Sequence, residues 1–403
     1  VTDHFIPFRQ HDILHLVHED APGGSAFTNT ITLLSLIMRQ EFQDRLERLK
    51  NLYQDLDPNA DTKPVPAVGV ETPVDPLAFS HELKVLLERA NYRALSQAEL
   101  DHALTAESVF QVKLHIALDD FRELTIYTRS QRQRQETIST WFGLKTRTLD
   151  VAYFERVLLY VRFQDAAYFA ARKTSKSLPF KPGTTQLKLF ANVPAADLEM
   201  LFPNSEVRMK TFDKLVIGVP ALAGFIGIAL KIGGSAAILF VLLKHWLGLH
   251  PDSPAINGAV WAAIAVAAFT LTMFVSRQLG RYKFKKIQFL QALANNLFSR
   301  NLDNNAGVIH RVLDEAQEED IKEAALAYRF LLAGPATEAE LDQRIEGWFV
   351  QRLQTTLDFE VDDALEKLAR LGLASLDGQV WTALAPAETV KLLHERWKIL
   401  APA

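Results

Sequence analysis

LVIGVPALAGFIGIALKIGGSAAILFVLLKHWLGL, residues 215–249, is followed after a short connector by AINGAVWAAIAVAAFTLTMFV, residues 255–275. Lys231, Lys244 and His245 are the only ionisable side chains of the first run, and the second has none. An uninterrupted apolar run of about 20 residues matches a hydrocarbon core of about 30 Å. The first run is longer than one perpendicular span needs, so it is expected to tilt or break, most cheaply at Pro220 or Gly233–Gly234. Arg208, Lys210 and Lys214 precede the pair, while Arg277, Arg281, Lys283, Lys285 and Lys286 follow it; the connector HPDSPAIN has neither Lys nor Arg. By the positive-inside rule both flanks stay on one side, which predicts a two-span transmembrane hairpin at about 215–249 and 255–276. Gly227, Gly234 and Ala237 in the first run and Gly258, Ala262, Ala265 and Ala268 in the second offer small surfaces for helix packing or for homo-oligomers.

The rest of the 403 residues reads as folded protein. With 48% hydrophobic residues, 23% charged residues and a net charge of -4, neither a disordered tail nor a strongly basic nucleic-acid binder fits. There are no cysteines, which removes disulfides, thiolate metal sites and cysteine nucleophiles.

Upstream, residues 9–20 and 29–56 carry apolar side chains at helical spacing, and PVPAVGVETPVDP belongs to a proline-rich loop at 57–76. His11, His15 and His18 recur at i, i+4 and i+7 on the polar side of the first helix, a spacing from which imidazoles can ligate a transition metal. A solvated histidine face is the plainer reading, because no HExxH or closing ligand set accompanies it. After a helical stretch at 79–104, segments such as VFQVKLHIAL, ELTIYTR, FERVLLYVRF and TQLKLF alternate or are β-branched, which predicts an antiparallel sheet between about 108 and 192. That module is rich in arginine and lysine. Arg129, Arg132 and Arg134, with Lys210, Lys214, Arg281, Lys283, Lys285 and Lys286 near the apolar runs, are the candidate contacts to anionic lipid headgroups.

Downstream the local signals are clearest. Thr337 and Glu340 form a capping-box pair, Gly372 ends a helix, Asp377–Gly378 marks a two-residue hairpin, and PAETVKLLHERW closes with a further helix. Helix, helix, hairpin, helix is a winged-helix order. The helix before the hairpin carries Glu360, Asp362, Asp363 and Glu366 against Lys367 and Arg370, and the run Asp314, Glu315, Glu318, Glu319, Asp320 has the same sign. Such a surface repels DNA, so a protein partner is expected at the C-terminal domain and nucleic acid is not.

QLKLFANVPAADLEMLFPNSEVRMKTFDKLVIGVPAL, the opening FIPFRQHDIL, and NNAGVIHRVLDEAQEEDIKEAALAYRFLL together resemble the transmembrane protein 143 family, also catalogued as a domain of unknown function in bacteria, plants and animals. The resemblance implies a two-pass membrane protein, mitochondrial in animals, with no established activity and no catalytic residue to carry over.

The expected fold is thus an α+β membrane protein with an N-terminal helical region (1–105), a basic sheet domain (106–210), the hairpin (211–280), juxtamembrane helices (281–335) and a winged-helix-like domain (336–403). The function expected is a scaffold or interaction protein anchored in a bacterial inner, or mitochondrial inner, membrane, with both soluble parts on the cytoplasmic or matrix side. Its partners would be the lipid bilayer and a protein. An enzyme with an unrecognised N-terminal site is second, since no phosphate-binding loop, dinucleotide fingerprint, GxSxG elbow or HExxH helix is present and no cofactor is implied. A channel or transporter is third, because two spans per chain enclose no pore without oligomerising.

Overall fold

Three helices open the chain: α1 (Gln10–Glu19), α2 (Gly24–Tyr53) and α3 (Pro76–Arg89). The computed structural model describes residues 4–19, 24–62, 75–105, 113–140, 145–172, 178–208 and 258–400. α3 starts where local chemistry dictates: the Asp75 carboxylate accepts the Leu77 N–H at 2.9 Å, and Pro76 stands where a helix has no use for an N–H. β1 (Arg93–Ala94), α4 (Gln97–Thr105) and β2 (Lys113–His115) lead to the long hairpin of β3 (Phe121–Thr140) and β4 (Lys145–Phe163). α5 (Ala166–Ala171), β5 (Thr185–Pro194) and β6 (Glu206–Arg208) follow, and the next described elements are α6 (Gly258–Arg300), β7 (Asn301–Asn304) and α7 (Ala306–Leu332). The chain ends in α8 (Glu338–Leu353), α9 (Val361–Arg370), the hairpin β8 (Ala374–Asp377) and β9 (Val380–Ala383), and α10 (Pro386–Leu400).

The expected α+β character and antiparallel sheet are observed, but the membrane hairpin is not. Among the described residues no helix is long and apolar enough to cross a membrane. Residues 258–275 are the first part of a 43-residue helix, α6, that runs on unbroken through Arg277, Arg281 and Lys283 to Arg300. A hydropathy window that stops at Val275 isolates the apolar portion of that helix. The first proposed span, 215–249, lies outside the described residues. The integral-membrane fold and the inner-membrane localisation are therefore corrected. The stretch 281–335 is helical as expected, as the end of α6 and then α7, with the short β7 between them.

Two compact units divide the chain differently from the five segments read from sequence. One comprises Val1–Val109, Leu118–Pro203 and Arg300–Ala403; the other comprises Phe110–Ala117 and Asn204–Ser299. The second contains the antiparallel pair β2–β6 and all of α6 except its last residue. The first contains a five-stranded antiparallel sheet in the order β1-β3-β4-β5-β7. Its edge strand β7 comes from beyond residue 300, so the sheet is completed by chain far downstream of the segment that alternation marks out.

Two helices organise this unit. The first half of α2 and the second half of α7 lie in one apolar core with α1, α8, α9 and α10. Their other halves lie in a second core, with α3 and the sheet residues Tyr127, Leu158, Tyr160, Leu187 and Leu189. The C-terminal winged-helix order is present, opened by the capping box of Thr337 and Glu340 and turned at Gly372 and Gly378, both at positive φ. It is not a separate domain, because its apolar face completes the first core.

Tyr53 ties the second core together. Its buried hydroxyl lies 2.8 Å from the Thr185 carbonyl and 3.2 Å from Asn305 Oδ1, joining the end of α2 to β5 and to the start of α7. Tyr53→Phe is expected to cost about 1–2 kcal/mol with the denaturant slope unchanged. Urea unfolding checks this, and an unshifted midpoint would remove the hydroxyl from the account.

Candidate functional site

Every residue of α7 from Glu319 to Tyr328 is buried, yet this stretch opens with four charges, Glu319, Asp320, Lys322 and Glu323. At i, i+1, i+3 and i+4 they share one side of the helix, and that side is packed against other elements rather than turned to water. A buried ion costs several kcal/mol unless partnered. The partners come from elsewhere. Lys367 on α9 places Nζ 2.8 Å from Asp320 Oδ1, 2.6 Å from Glu323 Oε2 and 2.6 Å from Asp363 Oδ2. Arg89 of α3 pairs with the other oxygen of Asp320. Lys322 Nζ lies 2.6 Å from Glu319 Oε2 and donates to the carbonyls of Ile6 at 2.8 Å and Phe8 at 3.3 Å, while Glu319 Oε1 accepts the Ile6 N–H at 2.6 Å.

Proton affinities follow from this enclosure. Burial raises the Glu323 carboxyl well above the usual carboxylate range against the pull of Lys367, and raises Glu319 against the pull of Lys322. For Lys367 burial works against the charge, but Glu323, Asp320 and Asp363 together outweigh it and hold the ammonium above the ordinary lysine value. One oxygen each from Asp320, Glu323 and Asp363 lie within 4.8 Å of one another, a set that could hold a metal ion. The Lys367 ammonium already contacts all three, so the position a metal would take is filled by a cation of the chain itself.

Beside this cluster opens a cleft of about 600 Å³, with Phe5, Arg89, Tyr92, Arg129, Glu360 and Asp363 among its lining. That volume lies within the range of ligand sites. Arg129, only 7% exposed, reaches Glu315 Oε2 at 3.1 Å and the Ala90 carbonyl at 3.3 Å. Its guanidinium lies 4.2 Å from the Phe5 ring centre and 4.9 Å from that of Tyr92, whose hydroxyl donates to Glu315 at 2.9 Å. Burial raises the Glu360 carboxyl, opposed by His4, whose Nδ1 is 3.8 Å away. On the rim, Asn91 and Ser130 both adopt positive φ, 59° and 53°. Asn91 follows the α3 cap, where asparagine is at home. Ser130 interrupts β3 between the pairs Arg129↔Arg156 and Gln131↔Phe154 and turns the strand at the cleft.

The residues expected from sequence are dispersed. His11 and His15 are exposed, with ring centres 6.5 Å apart, and each faces a carboxylate, Asp12 at 3.4 Å and Glu19 at 3.5 Å. His18 turns Nδ1 to the Leu14 carbonyl and lies edge-on to Phe27. The stripe is thus not drawn together as a ligand set. Of the candidate anion contacts among the described residues, Arg129 alone lines the cleft. Arg132 pairs with Glu155 at 2.5 Å, and Arg134 donates to Asn192 Oδ1 at 3.0 Å across the sheet. Arg281 and Lys283 are exposed on α6, where Lys285 and Lys286 also lie, in the other unit. Lys210 and Lys214 lie outside the described residues.

Sequence reasoning missed the cluster because it took Glu319, Asp320, Asp363 and Lys367 for solvated acidic surface. A signal was available. In EEDIKEAALAYRFLL the charges interrupt a stretch too apolar to present a polar side anywhere.

A family model described as "Protein of unknown function (DUF3754)" matches residues 154–307, from β4 into the start of α7. It covers less than half the chain, assigns no activity, and carries no link to the transmembrane protein 143 family. No solved structure matches.

Lys367→Met should destabilise the protein by about 3–5 kcal/mol, because it leaves buried Glu323 without a cation and takes the ammonium from buried Asp320 and half-buried Asp363. Losing the ammonium removes the pull that opposes burial at Glu323 and raises that carboxyl further. A group whose folded pKa is raised stabilises below its unfolded value and loses that contribution as pH rises through the folded value. The deficit should therefore be smaller near pH 4.5 than near pH 7.5. Urea midpoints at the two values decide it, and equal deficits would mean that the ion cluster is not the cause.

Proposed function

We propose that this chain is an interaction protein that receives a partner protein at the cleft between α3, β3 and the start of α9. The carrying observation is the inward turn of α9. In a winged helix that reads DNA this helix presents its basic groups to phosphate. Here Lys367 is withdrawn among carboxylates, and what borders the cleft from this region is Glu360 and Asp363. Arg89, Arg93 and Arg129 line the same cleft. A wall of both signs, held on a locked base, favours a polypeptide over a polyanion.

The same base argues against catalysis. Each charged group of the cluster faces an opposite charge or the backbone, and Arg129 is engaged by Glu315, so the groups at hand are committed to structure. The C-terminal protein partner expected from sequence keeps its place in this reading, with the N-terminal and sheet segments sharing the binding surface.

A photo-crosslinking side chain placed at Gln131 tests it in cells. We expect one dominant adduct, lost at least about tenfold when the exposed rim charges are reversed by Glu88→Lys with Arg93→Glu, while the melting temperature stays close to that of the parent. Adducts indifferent to the reversal would refute the cleft as the binding surface.

A further inference from the structure

The segment from His4 to Phe8 lies ahead of α1 in no regular secondary structure and is held as a bound peptide would be. Side chains read its backbone: Glu319 accepts the Ile6 N–H at 2.6 Å, Lys322 donates to the carbonyls of Ile6 and Phe8, and Asn91 Nδ2 donates to the His4 carbonyl at 3.0 Å. Pockets take its side chains. The Phe5 ring lies between two cations, 4.2 Å from the Arg129 guanidinium and 4.8 Å from Lys322 Nζ. Ile6 is fully buried, and Phe8 stacks on Phe349 with ring centres 6.2 Å apart. Pro7, which has no N–H to offer, faces outward.

The receiving groups are built into the fold rather than recruited from a surface. Glu319 and Lys322 are 0% and 1% exposed and pair with each other one turn apart on α7. The open cleft begins where the segment does, with His4 and Phe5 in its lining. Main-chain hydrogen bonds combined with alternating side-chain pockets are how proteins recognise extended peptides.

We propose that this groove is a peptide-binding site filled in cis by residues 4–8, and that its partner is an extended segment of the same chemistry, aromatic–aliphatic–proline–aromatic, offered by another protein. The partner's backbone takes over the bonds to Glu319, Lys322 and Asn91, and its first aromatic ring takes over the place between Arg129 and Lys322. This deepens the interaction reading by naming what the partner presents, and the two can fail separately: adducts at the cleft rim do not depend on this peptide.

Two measurements on the full chain test it. In hydrogen exchange, the Ile6 amide should exchange by a local opening at least about 100-fold faster than core amides of α7 such as Ala325, since a displaceable ligand must leave without global unfolding. In the variant Phe5→Ala with Ile6→Ala, a synthetic peptide of sequence HFIPFRQ should raise the lowered melting temperature saturably, and the same peptide with both phenylalanines replaced by alanine should do so at least about tenfold more weakly. An Ile6 amide that exchanges only with the global transition would overturn the proposal and make the segment ordinary core. So would a folded variant that does not respond to millimolar HFIPFRQ. Should the variant not fold, the exchange measurement on the parent chain decides alone.

Discussion

The ammonium of Lys367 in contact with Asp320, Glu323 and Asp363 is the constraint on which the larger unit turns. α7 runs through the middle of two cores, and a helix enclosed in that way would ordinarily be apolar all round. Instead it brings four charges inside, and each must find its counterpart or abolish the fold. Lys367 draws α9 against α7, Arg89 draws the end of α3 to the same place, and Lys322 with Glu319 fastens the N-terminal segment. Apolar packing would tolerate small shifts of these helices, whereas ion pairs of this length do not.

That lock explains why the C-terminal segment is no free module despite its winged-helix order. Its hairpin and caps are local and complete, but Ala364, Leu365 and Leu368 lie in the same core as Ile13, Phe27 and Leu34 from the opening helices. The surface such a segment would turn to DNA is spent on α7. What remains accessible is the cleft, where acids from the α9 region meet arginines from α3 and β3.

Legibility followed distance along the chain. The cap at Thr337, the stop at Gly372 and the turn at Asp377–Gly378 were readable because each involves groups within a few residues. Alternation marked β3, β4 and β5 but missed β7, four residues with no alternation of their own, given strand form by β5. The long helical stretch read at 79–104 is broken at Asn91, where positive φ ends α3 and turns the chain into β1. Hydropathy over 255–275 marked a real helix but not its extent, since a window of that kind ends where charges begin and α6 does not. The candidate site suffered most: among the described side chains singled out for metal or anion, Arg129 alone reached the cleft.

Taken by itself, the amino-acid order determined the longer helices and strands, where several of them begin and turn, and that charges of both signs crowd residues 314–323 and 360–370. Caps, turns and periodicity are matters of neighbours, and neighbours are visible in a string. Only the tertiary structure decided which of those charges go inside. Glu323 meets Lys367 across 44 positions and Glu319 meets Ile6 across 313, and a carboxylate is surface or core according to whether such a partner arrives.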